Sequence, residues 1–135
     1  MATPRIEGKV LITGASGFIG GRLRSTLLSA GVDVVALRRP GSPSSELGRS
    51  VEAKYSDVAA LARIVSEERP DYILHVAGVT KGSSYADFES GNVMPTRHLI
   101  RAVRQEHPGV KRFVLVSSLA AYGPSASTVP QRESN

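Results

Sequence analysis

The sequence predicts an α/β protein in which helices cover both faces of a parallel β-sheet. Short apolar runs that suit buried strands alternate along the chain with segments whose apolar residues recur at helical spacing. A glycine-rich turn at 13–20 joins the first strand to the first helix. Because parallel crossovers are right-handed and such a turn follows the first strand, the predicted strand order is 3-2-1-4-5. This is a Rossmann-type, doubly wound sheet, which we expect to be truncated after strand five.

The predicted strands are short apolar runs bounded by Gly, Pro or charged residues. In chain order they are 9–13, 33–37, 51–54, 72–76 and 112–116. The fifth run is nearly all apolar, as a strand covered on both faces should be. Beyond Gly123 the sequence is polar and contains two prolines, so no further element is predicted there.

Three segments between the strands have the spacing of amphipathic helices. They are 17–30, 58–68 and a longer helical region that ends near 106. The residues expected on their buried faces are Ile19, Leu23, Leu27, Leu61, Ile64, Val65, Leu99, Ile100 and Val103. Gly31 is expected to stop the first helix. The segments 41–50 and 78–84 are predicted to be surface loops.

Length and composition limit the class of protein. At 135 residues with 41% hydrophobic content, the chain is long enough for one domain with its own core. It has no cysteine, which excludes disulfides and thiolate chemistry, and its three histidines lack metal-ligand spacing. No apolar stretch approaches the roughly 18 residues of a membrane span, and no signal peptide precedes the first strand. We therefore expect a cytoplasmic protein with no membrane partner.

The charge balance is basic, with a net charge of +5 and a pI near 10.0. Nucleic-acid-binding proteins have this balance, but here Lys and Arg are scattered and aromatic residues form only 5% of the chain. A surface that attracts anionic cofactors and substrates explains the charge equally well. We expect no nucleic-acid partner.

The turn at 13–20 reads T-G-A-S-G-F-I-G and is typical of a phosphate-binding loop. Gly14 allows the sharp turn out of the strand, Gly17 lets a pyrophosphate approach the backbone, and Gly20 lets the helix pack closely on the strand. The N–H groups and positive dipole end of the helix then face the phosphates. The alternative is a tight turn with no ligand, because the spacing is not the commoner G-x-G-x-x-G.

Four more motifs follow this turn in order. They are Ser56-Asp57-Val58 after strand three, R-P-D-Y-I-L-H-V-A-G at 69–78, N-V-M-P-T at 92–96, and F-V-L-V-S-S-L-A-A-Y-G at 113–123. Together with the glycine turn, they resemble the motifs of the extended short-chain dehydrogenases/reductases, also called the NAD-dependent epimerase/dehydratase family. The resemblance covers nearly all of the chain.

The resemblance implies a binding site for NADP, with NAD as the alternative. The residues expected to bind the cofactor are Gly14, Ser16, Gly17, Phe18, Ile19, Gly20, Arg38, Arg39, Asp57, Val58, Ala77 and Gly78. Arg38 stands where an acidic residue would bind both ribose hydroxyls of NAD, and no Asp or Glu is beside it in the sequence. A guanidinium there can bind the extra phosphate of NADP. The alternative is a pair of solvated surface arginines.

Some of these positions also have a purely structural interpretation. Asp57 can cap the following helix and, by the resemblance, also accept a hydrogen bond from the adenine amino group. Ala77 and Gly78 must be small if the nicotinamide ribose lies against strand four; otherwise they simply pack a loop. His75 is predicted to be a packed strand residue rather than a base or a metal ligand.

Ser118 is the one predicted catalytic residue. In the family, the equivalent Ser or Thr lies four residues before the tyrosine of the Y-G pair. It hydrogen-bonds the substrate alcohol or carbonyl and stabilises oxyanion charge. The alternative is a serine that ends a strand by bonding its own backbone. None of the four tyrosines is followed four positions later by the lysine that the family's proton transfer uses.

The sequence therefore predicts an incomplete dinucleotide-binding domain over 1–135, with the catalytic tyrosine and lysine and a substrate subdomain expected beyond it. The parent enzyme would be an oxidoreductase, epimerase or dehydratase that transfers hydride to or from a carbinol or ketone. A nucleotide sugar is the leading small-molecule substrate; a steroid, terpenoid or flavonoid is the alternative. A homodimer is expected for the parent. A dinucleotide-binding sensor without catalysis is the alternative from another class.

Overall fold

The structure of the protein, a computed structural model, describes residues 6–43 and 47–133. The described strands are β1 (Lys9–Thr13), β2 (Asp33–Arg38), β3 (Arg49–Glu52), β4 (Tyr72–His75) and β5 (Arg112–Leu115). They form one parallel sheet in the order β3-β2-β1-β4-β5, which confirms the predicted fold. Positions 44–46 of the predicted loop and 134–135 of the predicted tail lie outside the described residues.

The described helices are α1 (Phe18–Ser29), α2 (Val58–Glu68), α3 (Tyr85–Phe88) and α4 (Met94–Glu106). One π-helical turn (Glu89–Val93) joins α3 to α4, and a 3-10 helix (Leu119–Tyr122) follows β5. Asp57 caps α2, because its Oδ1 accepts a hydrogen bond of 3.0 Å from the N–H of Ala60. None of the described helices is long and apolar enough to cross a membrane.

The sheet divides the core into two layers, because alternate residues of each buried strand point to opposite faces. Leu11 of β1 packs with α2 and α4 on one face, against Leu61, Val65 and Leu99. Val10 and Ile12 lie in the opposite layer, with Leu23 and Leu27 of α1. Helices on both faces therefore leave the sheet's strand ends as the place where a ligand can reach the backbone.

Two predicted core positions are wrong. Ile19 is 53% exposed because it lies in the first turn of α1, at the end of the sheet rather than over it. Ile100 is 39% exposed, since it lies about 100° around α4 from the fully buried Leu99. The buried face of α4 is completed instead by Ala102 and Val103.

The bounds of β3 and the coverage of β5 also differ from the prediction, whereas the bounds of the other strands and of β5 agree with it to within one residue. β3 lies two residues earlier than 51–54, because its pairing with β2 begins at Arg49 opposite Val35 and ends at Glu52 opposite Arg38. β5 forms the edge of the sheet that the predicted strand order gives it. Its faces were expected to be covered, but Val114 is 38% exposed and Leu115 is 50% exposed. Within the described residues no strand pairs with its outer side.

Candidate functional site

A cavity of about 860 Å³ opens at the carboxyl ends of β1, β2 and β4. The glycine turn, the end of β2 and the segment after β4 contribute most of its described lining. In an open α/β sheet this edge, where the chain switches direction between β1 and β4, is the place where ligands bind.

Gly14 and Gly20 are required by the fold itself. Gly14 has a φ of +70°, and a Cβ there would lie 2.7 Å from the backbone nitrogen of Ala77. A Cβ on Gly20 would overlap the carbonyl oxygen of Gly14. These two glycines let the turn pack against β4 and let α1 approach the turn.

Gly17 is different, because the fold leaves room for a side chain. Its backbone is extended, with φ −86° and ψ 176°. Apart from its two chain neighbours, the part of the chain that the structure describes would give a Cβ there one neighbour within 4 Å, the oxygen of Gly14 at 3.4 Å, which is an ordinary contact distance. Gly17 lines the cavity, so a side chain at this position would take space from a ligand rather than from the protein.

The start of α1 suits an anion. No side chain of the described residues caps its N-terminus, and its first turn contains no acidic residue. The first-turn N–H groups therefore carry the positive end of the helix dipole toward the cavity. Phe18 and Ile19, both exposed, stand beside these groups.

The cavity lining is strongly basic. Its described residues include four cationic side chains and no acidic one. The four are Arg24, Arg38, Arg39 and Lys54. Clustered cations in a concave site raise the local concentration of anionic ligands.

Arg38 has an acidic neighbour that the sequence did not indicate. Its Nη2 lies 2.9 Å from Oε2 of Glu52, because the parallel register of β2 and β3 places the two residues side by side. Its Nη1 donates a hydrogen bond of 3.1 Å to the carbonyl oxygen of Ser42. No Asp or Glu is beside Arg38 in the sequence, but the fold places the Glu52 carboxylate against it. Arg39 is exposed and lines the cavity directly.

The floor beneath the glycine turn is a buried polar network centred on Thr13 and His75. The Thr13 hydroxyl accepts hydrogen bonds from the N–H groups of Val76 and Ala77, at 3.1 and 3.0 Å. Both of its lone pairs are then occupied, and it lies 2.7 Å from Nδ1 of His75 and within hydrogen-bond reach of the Tyr55 hydroxyl. The Thr96 hydroxyl donates its proton to the Asn92 carbonyl, so it accepts at 3.0 Å from Nε2 of His75, which therefore carries the ring proton.

His75 is a fully buried strand residue, as the sequence predicted. Burial lowers the pKa of its ring, and Thr13 has no lone pair left for a second ring proton. The ring is therefore neutral and structural. Tyr55, whose ring meets that of His75 edge-on, lines the cavity, and burial raises the pKa of its phenol.

Asn92, in the N-V-M-P-T motif, is a positioning residue whose role the sequence does not predict. Its Oδ1 accepts a hydrogen bond of 2.7 Å from the N–H of Val79, and its Nδ2 donates one of 3.1 Å to the Val79 carbonyl. A Cβ on Gly78 would lie 2.8 Å from the same Oδ1. The side chain thus holds the segment after β4 in place at the cavity wall.

The structure brings most of the predicted site residues to this cavity. Those in its lining are Gly14, Ser16, Gly17, Phe18, Ile19, Gly20, Arg38, Arg39, Ala77 and Gly78. Asp57, Val58 and Ser118 lie outside the described lining. The exposed Ser118 follows β5, and its Oγ accepts a hydrogen bond of 3.2 Å from the N–H of Ala120.

Several lining residues were not predicted. The fold brings three further side chains to the cavity, namely Arg24 from α1 and Lys54 and Tyr55 from the segment after β3. Their sequence neighbourhoods carry no signal that distinguishes them from surface residues. No group of His, Asp or Glu side chains suited to a metal ion occurs among the residues that the structure describes.

Residues 10–135 match the family described as NAD dependent epimerase/dehydratase. The chain is 33% identical over 128 residues to D-erythronate dehydrogenase from Haemophilus influenzae, covering 85% of this chain and 39% of that protein. It is 32% identical over 129 residues to dTDP-6-deoxy-L-talose 4-dehydrogenase (NAD(P)(+)) from Kitasatospora kifunensis, covering 94% of this chain and 40% of that protein.

Among solved structures, the fold is similar to that of UDP-glucose 4-epimerase from Thermotoga maritima with UDP-glucose. The TM-score is 0.79 at 25% identity, over 91% of this chain and 42% of that one. The chain thus spans about two fifths of the length of these relatives.

Proposed function

The chain belongs to the NAD dependent epimerase/dehydratase family, and from that membership and the cavity we propose that it binds NAD(P). We propose further that residues 1–135 are the dinucleotide-binding domain of an oxidoreductase, epimerase or dehydratase. The observation that carries the proposal is Gly17, which lines the cavity although the fold has room for a side chain there. A glycine that the fold does not need is explained by a ligand that approaches the backbone.

The proposed pose follows from the lining. The pyrophosphate lies at the start of α1, where the N–H groups are uncapped. The adenosine ribose lies over the end of β2 beside Arg38 and Arg39, and the nicotinamide ribose lies against Ala77 and Gly78. Asp57 lies outside the described lining, and its second carboxylate oxygen remains our candidate acceptor for the adenine amino group.

We propose NADP as the preferred cofactor and NAD as the alternative. The support is the excess of cations, since the described lining has four basic side chains and no acidic one. The 2′-phosphate adds negative charge that these side chains attract. Arg39 is the stronger candidate for its ligand, because the guanidinium of Arg38 is already bonded to Glu52 and Ser42.

The proposed reaction of the whole enzyme is hydride transfer between the nicotinamide and a carbinol or ketone carbon. A nucleotide sugar is the proposed substrate, because two of the relatives named above act on sugar nucleotides by their names. Ser118 is the proposed substrate-binding hydroxyl. Its Oγ accepts a bond from Ala120, which leaves its proton free to be donated to a substrate oxygen. We also propose that the whole enzyme is a homodimer.

Titration of the purified protein with NADP and with NAD by isothermal calorimetry tests the binding step. We expect both to bind, with NADP tighter. Failure of both dinucleotides to bind a protein whose circular dichroism shows a folded α/β domain would contradict the proposal. Stronger binding of NAD than NADP would contradict only the stated preference.

A further inference from the structure

The last residues of β2 and β3 form an ion pair beside the proposed ribose subsite. Arg38 and Glu52 are Cα partners in the parallel register, and their side chains meet at 2.9 Å. The second terminal nitrogen of Arg38 donates to the Ser42 carbonyl at 3.1 Å. The guanidinium is therefore held at both ends, by the neighbouring strand on one side and by the loop after β2 on the other.

Glu52 reduces the positive charge and the number of hydrogen-bond donors that Arg38 presents to a ligand. A carboxylate in direct contact offsets most of the positive field of a guanidinium and occupies one of its donors. Glu52 is not in the described lining of the cavity, whereas Arg38 is. Glu52 therefore acts on a ligand through Arg38 and not by touching it.

We propose that Glu52 sets the discrimination between phosphorylated and unphosphorylated adenosine ribose. This inference rests on the proposed dinucleotide binding. While Glu52 holds Arg38, the subsite presents the charge of Arg39 and only part of that of Arg38. This moderates the preference for a 2′-phosphate and lets the same subsite accept a ribose with free hydroxyls.

The alternative role for Glu52 is simple anchoring, in which it keeps Arg38 in place to bind the phosphate. The two roles predict opposite effects. If Glu52 restrains the charge of Arg38, removing its carboxylate strengthens NADP binding. If it only anchors Arg38, removal disorders the guanidinium and weakens NADP binding.

The test measures the ratio of the dissociation constants for NAD and NADP in Glu52→Gln and Glu52→Ala variants. We expect both to raise the ratio roughly tenfold by tightening NADP binding, because one charge-assisted contact to the phosphate is gained. The double variant Arg38→Gln with Glu52→Gln should lose this gain, since Glu52 acts through Arg38.

Glu67→Gln is the matched control. Glu67 lies on α2 in an exposed pair with Arg63 at 3.7 Å, so this variant removes the same charge away from the cavity. A ratio in Glu52→Gln within twofold of the wild-type ratio, a lower ratio, or an equal rise in Glu67→Gln would overturn the inference. Wild-type protein that binds neither dinucleotide would instead refute the proposed function, and this inference with it.

Discussion

Replacing Gly17 by valine tests whether this glycine is needed for ligand binding rather than for folding. Among the described residues other than its two chain neighbours, the only atom within 4 Å of a Cβ at this position is the Gly14 oxygen at 3.4 Å, and the extended backbone suits any residue. Two opposing effects act on stability. The substitution restricts the unfolded chain, which stabilises by about 0.4–1 kcal/mol, and it weakens the helix N-cap by a similar amount. The net change in the free energy of unfolding should stay within about 1 kcal/mol.

The same substitution should lower the affinity for NADP far more than it changes the stability. The isopropyl group would enter the cavity beside the uncapped N–H groups of α1 and displace a phosphate from them. Each lost charge-assisted hydrogen bond costs about 1.5–3 kcal/mol, so the loss of two weakens binding by roughly 100-fold or more. Urea denaturation gives the stability, and calorimetric titration with NADP gives the affinity.

Gly20→Ala is the matched control, because a Cβ there would overlap the Gly14 carbonyl oxygen. That variant should lose stability as well as binding. A Gly17→Val protein that folds and binds NADP with unchanged affinity would refute the interpretation of the turn as a phosphate-binding loop.

Three further predictions concern Arg39, His75 and Ser118. Arg39→Gln should weaken NADP binding about tenfold while leaving NAD binding nearly unchanged, as measured by calorimetry; equal losses for both would contradict its role at the 2′-phosphate. Because burial lowers the pKa of His75, the unfolded chain takes up a proton below the ordinary histidine pKa of about 6.5, whereas the buried native ring resists it. The free energy of unfolding should therefore fall as pH drops from about 6.5 toward 5, and a His75→Gln variant in urea denaturation should show a flatter dependence. The polypeptide 1–135 should show no turnover of NADPH with ketones or nucleotide sugars at 340 nm, because no base stands beside Ser118 in the sequence; robust turnover would contradict the proposed chemistry.

The sequence predicted the bounds of an element best where a single local pattern determines them. The bounds of β1 and α2 are as predicted, since an apolar run and an Asp cap define them without help from the rest of the chain. The Arg38–Glu52 pair was missed because fourteen positions separate its members and only the β2–β3 register joins them. The exposure of Ile19 was missed because helical spacing identifies a face but not where the sheet beneath it ends.

The buried polar network explains why three separate segments form one cavity wall. Thr13 ends β1 just before the glycine turn, His75 ends β4 just before Ala77, and Thr96 lies in the first turn of α4. The Thr96 hydroxyl accepts from His75 and donates to the Asn92 carbonyl at 2.7 Å, so the chain of bonds continues into the π-helical turn. Every hydroxyl and ring nitrogen in this chain has a partner, and a fully satisfied buried network favours a single arrangement. A neutral His75 is the only form that fits it, because Nδ1 must accept while Nε2 donates. The turn, the end of β4 and the start of α4 are therefore held in fixed relation before any ligand arrives, which reduces the ordering cost of binding.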